Sequence, residues 1–282
     1  MSWTDSVEEK KMLTARMCMH GKAGRWASSL QILGSSRSVR VVPDEFMYSS
    51  AASSCGKGQQ WDHALGLMVA VRSSSAELNE VIYGAMISAC ERCSRWQGAV
   101  FLLFDMKLSE VSVNVVTASA SVSACEKGER WELASHLLDG ARQGRVALNV
   151  VCFNAAISAC EKGQQWRGAF HLLREEQRVG LSPTVVTYGA LISACEKGRQ
   201  WEQALQFLSK LHLAGILPST IICNGALSAC EKSHRWEQSI HLLRQARSAG
   251  VAPSTITYNA AISACEKAQR WEEAWGILHQ AR

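Results

Sequence analysis

From Val185 to Lys197 the apolar residues Tyr188, Leu191, Ile192 and Cys195 return at helical spacing, a single stripe on a mixed surface. Gly198 breaks the run, and a second stripe follows through Trp201, Ala204, Leu205, Leu208 and Leu211. Gly215 reads as a helix C-cap, and Pro218 shortly after it blocks continuation. The pattern predicts a helix, a short turn, a second helix and a short return loop. Neither helix can bury its stripe alone, so such pairs have to stack.

The same pattern fills the chain. Trp26, Trp61, Trp96, Trp131, Trp166, Trp201, Trp236 and Trp271 are each 35 residues apart, and Cys55, Cys90, Cys125, Cys160, Cys195, Cys230 and Cys265 keep the same period. An uninterrupted beat in two residue types marks a repeat array. Residues 1–9 are expected to be an N-terminal extension and 10–282 an α-solenoid. Its units start at Lys10, Glu45, Glu80, Val115, Val150, Val185, Thr220 and Thr255, the last one incomplete. Three positions after each tryptophan a small residue lets the paired helices close up: Ala64, Ala99, Ala134, Ala169, Ala204, Ser239 and Ala274. The tryptophans are expected in the core, where Trp→Ala in a central unit would cost about 3–5 kcal/mol.

Val-Val-Thr-Tyr at 185–188, Thr-Ile-Thr-Tyr-Asn at 255–259 and the Gly-x-x-Pro returns at 215–218 and 250–253 resemble the pentatricopeptide repeat, over essentially the whole of 10–282. The resemblance implies an all-α fold, a right-handed superhelical solenoid of stacked helix–turn–helix repeats. It also implies a sequence-directed single-stranded RNA-binding adaptor, one base per repeat, acting in organellar RNA processing, stability or editing. In that family the base edge is met by the residue after the first-helix Tyr and by the last residue of the unit. Those pairs are Thr14 with Asp44, Ser49 with Asn79, Gly84 with Asn114, Ser119 with Asn149, Asn154 with Thr184, Gly189 with Ser219, and Asn224 with Ser254, while Asn259 stands without a second member. Phe46, Val81, Val116, Val151, Val186, Ile221 and Ile256 fit the family's apolar positions that sandwich the bases. The family's pairing rules give G-A-n-A-pyrimidine-n-C, with n opposite Gly84 and Gly189, which have no side chain to offer. Lys11 stands where the first unit needs an apolar residue, and Ala118 where the fourth needs Tyr or Phe.

A basic residue closes every first helix: Lys22, Lys57, Arg92, Lys127, Lys162, Lys197, Lys232 and Lys267. One reading is a cation complementing the helix C-terminus, worth about 0.3–1 kcal/mol. The other, supported by the resemblance, is a ladder of phosphate contacts through Lys57, Arg92, Lys127, Lys162, Lys197, Lys232 and Lys267, with a preceding glutamate offsetting much of the charge.

Composition narrows the alternatives. With 47% hydrophobic and 20% charged residues among 282, wholesale disorder is excluded, and a net charge of +5 is compatible with a polyanion without arguing for one. No apolar run approaches the ~18 residues of a membrane span. Residues 1–10 have neither an apolar signal core nor an acid-free, Arg-rich transit composition. The resemblance points to mitochondrion or chloroplast, and the visible N-terminus leaves the cytoplasm open. Equivalent cysteines in stacked units should lie about 8–10 Å apart, too far for disulfides. Cys90 and Cys93 have a metal-like spacing but no second Cys or His pair beside them, so no metal is expected. No phosphate-binding loop, nucleophile elbow or zinc-protease helix occurs, so the chain is expected to be non-enzymatic and without cofactors. The rival function is a protein–protein interaction scaffold of the tetratricopeptide-like type. Against it stand the short polar residues Thr14, Ser49, Ser119, Asn154, Asn224 and Asn259, each with an apolar neighbour three residues earlier, except Thr14, which has Lys11. Other RNA-processing proteins are further candidate partners.

Overall fold

The structure is a computed structural model that describes residues 3–38, 42–74, 77–248, 250 and 252–281. Those residues form an all-α repeat solenoid of helix pairs. In chain order these are α1 (Trp3–Lys22) with α2 (Trp26–Ser38), α3 (Glu45–Lys57) with α4 (Trp61–Arg72), α5 (Glu80–Arg92) with α6 (Trp96–Leu108), and α7 (Val115–Lys127) with α8 (Trp131–Gln143). They continue with α9 (Val150–Lys162) and α10 (Trp166–Arg178), α11 (Val185–Lys197) and α12 (Trp201–Leu213), α13 (Thr220–Lys232) and α14 (Trp236–Ser248), and α15 (Thr255–Lys267) and α16 (Trp271–Ala281). The chain divides into two compact units, residues 1–152 and 153–282. Residues 3–9, assigned above to an extension, run into α1 without a break. None of these helices is long and apolar enough to cross a membrane.

The helix starts are set by caps. Asp44, Asn79, Asn114, Thr184, Ser219 and Ser254 each sit in extended backbone and accept a hydrogen bond from the backbone N–H three residues on. Thr117, Thr187 and Thr257 return the bond, closing capping boxes. Each cap is worth about 1 kcal/mol. Between the helices of a pair the residue two before the tryptophan is left-handed in every unit: Gly24 at φ 67°, and Gln59, Ser94, Glu129, Gln164, Arg199, His234 and Gln269 at φ 54–57°. That conformation is uncommon for non-glycine residues. Its recurrence whatever the residue shows that helix pairing imposes the turn. In the return loops Gly180, Gly215 and Gly250 take the same region at φ 72–82°.

Within residues 1–152 each first helix packs on the next (α1 on α3, α3 on α5, α5 on α7), and α2, α4 and α6 each lie against their own first helix and the following one. Within 153–282 the same arrangement joins α11, α13 and α15 through α12 and α14. The periodic cysteines lie at the bottom of this packing, fully buried. Burial pushes the thiols of Cys55, Cys125 and Cys230 up to about 11 and those of Cys90 and Cys195 to about 12, so they stay protonated and act as small apolar residues.

The tryptophans are not in the core. Trp26 through Trp236 are half-buried and Trp271 is exposed. In the Val185–Ser219 unit Trp201 and Leu205 are likewise half-buried, and Phe207 joins Ala204, Leu208 and Leu211 inside. The indole is a joint to the following unit instead. Gly58, Gly128 and Gly198 have ordinary φ values of −82°, −86° and −83°, so their turns do not require glycine. A Cβ on them would run into the rings of Trp26, Trp96 and Trp166. Arg95, Arg130, Arg235 and Arg270 place their guanidinium groups over Trp61, Trp96, Trp201 and Trp236, 4.4–5.0 Å from the ring centres. His63 stacks on Trp26 at 5.0 Å. Gly198, read above as a helix breaker, is thus kept small by the previous unit's indole.

Candidate nucleic-acid interface

The second residue of each first helix from α3 onward is apolar and lies in solvent. Phe46 is 50% exposed, Val81, Val116, Val151, Val186 and Ile256 lie between 53% and 67%, and Ile221 reaches 81%. Single exposed apolar residues are ordinary on any protein. These recur at one phase of the repeat, Phe46, Val81, Val116 and Val151 as a row within residues 1–152 and Val186, Ile221 and Ile256 as a row within 153–282. Each is on a helix whose next residue or two are buried, and none is covered by the described protein.

The polar positions three residues further on are partly accessible and their side chains are oriented. Thr14, Ser49 and Ser119 turn their hydroxyl hydrogens back to the carbonyls of Lys10, Phe46 and Val116 at 2.6, 3.1 and 3.0 Å. Each therefore presents lone pairs, an acceptor, to a ligand. Asn154 and Asn224 are held the other way. Thr187 and Thr257 donate to their Oδ1 atoms at 2.6 Å, and their Nδ2 groups point to Thr184 Oγ1 at 3.4 Å and Ser254 Oγ at 3.3 Å. Here the donor is what a ligand would meet. Asn259 is exposed.

The last residues of the units, Asp44, Asn79, Asn114, Asn149, Thr184, Ser219 and Ser254, are the ones that start the next helices. Asn79 and Asn149 spend Oδ1 on the N–H groups of Ile82 and Cys152, both at 3.1 Å, which leaves the amide donor. Asp44 accepts from Met47 N at 3.0 Å and pairs with Lys10 at 3.1 Å. The structure brings the two polar members into direct contact in Asn154–Thr184 and Asn224–Ser254. At Gly84 and Gly189 an added Cβ would meet only Thr117 at 3.6 Å or Ile222 at 3.8 Å, so packing does not demand glycine at either place.

Two cavities assemble the expected sets. One of about 530 Å³ is lined by Thr14, Asp44 and Phe46 together with Lys10 and Lys11. The other, of about 350 Å³, lies between Val81 and Val116 and is lined by Gly84, Asn114, Arg92 and Glu80. Both put an apolar side chain, a polar pair and a cation around one open space. A flat ring with a polar edge and an anionic tether fits that description.

The closing basic residues are tied to neighbouring units. Lys127, Lys197, Lys232 and Lys267 pair with Glu91, Glu161, Glu196 and Glu231 of the unit before, at 2.7–2.9 Å, and Lys57 donates to the Gly21 carbonyl at 2.9 Å. Ser228 and Ser263 share the Glu196 and Glu231 carboxylates at 2.9 Å. At Lys127, Lys197, Lys232 and Lys267 the offsetting glutamate thus belongs to the previous repeat, which spacing within one unit does not reveal. The Lys22 side chain lies outside the described residues. Glu80 was not foreseen as a site residue, since an acid opening a helix is explained by the helix dipole alone.

The PPR repeat profile matches residues 81–111, 186–216 and 256–282, and the PPR repeat family profile matches 148–197. Each match begins one or two residues from the start of a first helix in the structure. The chain carries pentatricopeptide repeats. A comparison with curated protein sequences finds no match. Among solved structures the PPR array is similar to the pentatricopeptide repeat protein PPR10 from maize, with a TM-score of 0.82 at 19% identity over 95% of this chain. The chain spans 38% of the length of that protein. PPR10 in complex with an 18-nt psaJ RNA element matches at TM-score 0.68, 18% identity, with 94% of this chain and 38% of that one covered. The PPR domain of Arabidopsis thaliana protein-only RNase P 1 in complex with tRNA matches at 0.53 and 14% identity, over 60% of this chain and 89% of that one. At these identities the likeness shows the PPR solenoid fold.

Proposed function

We propose that this PPR array binds single-stranded RNA in a sequence-directed way, one base per repeat, as an adaptor in organellar RNA processing, stability or editing. The observation that carries the reading is the pair of exposed apolar rows, Phe46 to Val151 and Val186 to Ile256, each member three positions before a base-edge position. A base inserted between successive members of a row would gain apolar contact on both faces whatever its identity. Its edge would then meet the acceptors of Thr14, Ser49 and Ser119 or the amides of Asn154 and Asn224. The RNA complex of the similar PPR10 fold supports the same class of ligand.

The test is selection from a random single-stranded RNA pool with the purified chain. Enrichment of a motif related to G-A-n-A-pyrimidine-n-C is the expected result. Asn224→Ala with Asn259→Ala should then weaken the selected RNA and spare a scrambled one. Recovery of no motif would turn the search toward protein partners.

A further inference from the structure

We infer that Glu80 reads a base in place of the missing side chain at Gly84, and that the base it selects is guanine. The inference rests on the RNA-binding reading above. In this unit the pair expected to face the base is Gly84 with Asn114. Gly84 offers nothing, and the cavity lined by Val81, Val116 and Asn114 stays open where its side chain would be. Asn114 has its oxygen and one of its two amide hydrogens engaged. Its Oδ1 accepts from Thr117 N at 2.8 Å as the helix cap, and its Nδ2 donates to Glu80 Oε1. The charged acceptor in that space is the Glu80 carboxylate, which lines the cavity together with Ser53, Ser88 and Arg92 and takes one further contact from Ser112 Oγ at 3.4 Å.

A carboxylate is acceptor-only, with about four lone-pair sites on its two oxygens. Asn114 and Ser112 leave at least two sites for a ligand. It therefore selects a base edge with two adjacent donors. Guanine N1–H and N2–H present such a pair. Adenine and cytosine set a single amino group beside a ring-nitrogen acceptor, and uracil flanks its one N–H with carbonyl oxygens, so each of these brings a lone pair against the carboxylate. Arg92 lines the same cavity and offsets the repulsion between Glu80 and the RNA backbone. Glu45 holds the equivalent place one unit earlier, but Ser49 supplies the base-edge side chain there. Among the described residues no hydrogen bond joins Glu45 to Asn79.

The experiment uses the full chain and a fluorescein-labelled single-stranded RNA carrying G-A-N-A-C-U-C, with N as each of the bases in turn. Anisotropy titration should show guanine at N favoured by about tenfold or more, the size of one good bidentate contact. Glu80→Gln keeps an acceptor for Asn114 and replaces the other oxygen by a donor, so the guanine preference should collapse to within about threefold, with adenine gaining most. Its thermal midpoint should match wild type, and its preference for C at the last position should be unchanged. If wild type shows no guanine preference at N while preferences at other positions persist, the role of Glu80 is overturned and the RNA reading stands. If no position shows any preference, the RNA reading itself fails. A guanine preference that survives Glu80→Gln would assign it to another residue and overturn the inference.

Discussion

Two rows of apolar side chains run through this protein with the same 35-residue period and meet opposite fates. Trp26, Trp61, Trp96, Trp166, Trp201 and Trp236, which open second helices, are half-covered, with a glycine or arginine of the following unit against the ring. Trp271, whose ring no described residue of a later repeat covers, reaches 74% exposure. The valines and isoleucines near the start of the first helices are at least as exposed in the middle of the array as at Phe46. Periodicity reports that a position matters. Whether protein or ligand is meant to cover it depends on what the neighbouring repeat brings to the spot.

The sharpest way to break this contrast is to remove a covered ring. Trp96→Ala loses packing against Gly128 and a guanidinium contact from Arg130 at 5.0 Å. A half-buried indole with one such contact should be worth about 2–3 kcal/mol, below the value of a core tryptophan. Chemical denaturation followed by circular dichroism should show that loss, whereas Trp271→Ala should stay within about 0.5 kcal/mol of wild type. Equal effects at both positions would dissolve the idea of a joint.

Glu176 is the exception on the covered side. Val71, Met106, Ala141, Leu211 and Ala246 hold its place in other units, yet its carboxylate is fully buried with neither oxygen hydrogen-bonded. Burial raises its pKa from 4.5 to about 7, and Tyr188 is raised by its own burial and by this neighbouring charge. An acid raised on folding favours the native state only while protonated. Stability should therefore fall as pH climbs from 4.5 to about 7 and level off above it. Glu176→Leu should flatten that dependence and add about 1–3 kcal/mol at pH 8. An unchanged pH profile in the variant would place the titration elsewhere.

On the exposed side, Val81→Ala with Val116→Ala removes two walls of one cavity and almost no internal packing. Unfolding should shift by less than about 0.5 kcal/mol. Affinity for the selected RNA should drop by about tenfold, from the lost methyl contacts. A large loss of stability would return these residues to the protein's own packing.

The sequence made the helix pairs legible because one stripe pattern, repeated without insertions, leaves stacking as the way to bury it. The register of the polar positions was legible as well, since Ser49, Asn154 and Asn224 each fall on a first helix three residues after an exposed apolar one. Their orientation was not, because it depends on a partner about one repeat away, such as Thr187 on Asn154. Neither was the placement of the tryptophans. An indole at helical spacing reads as core until the facing surface is known, and that surface belongs to the next repeat. Glu80 was hidden for the same reason, its meaning lying in Asn114 at the far end of its unit.

The smallest expected effect decides to which row the closing lysines belong. Lys232 and Lys267 reach back to Glu196 and Glu231 at 2.8 Å, as the arginines reach back to the tryptophans, but both lysine side chains keep about two-fifths of their surface in solvent. Exposed pairs of this kind contribute about 0–1 kcal/mol, little enough for a phosphate to compete for the cation. Lys232→Ala with Lys267→Ala should therefore leave unfolding nearly unchanged while lowering the slope of log affinity against log salt by about 0.7 per lysine on any single-stranded RNA. Glu196→Gln with Glu231→Gln should raise RNA affinity by releasing the same lysines. If both double variants leave the salt slope and affinity at wild-type values, the lysines serve as joints between repeats, and contact with the ligand is left to the exposed apolar row and its polar neighbours.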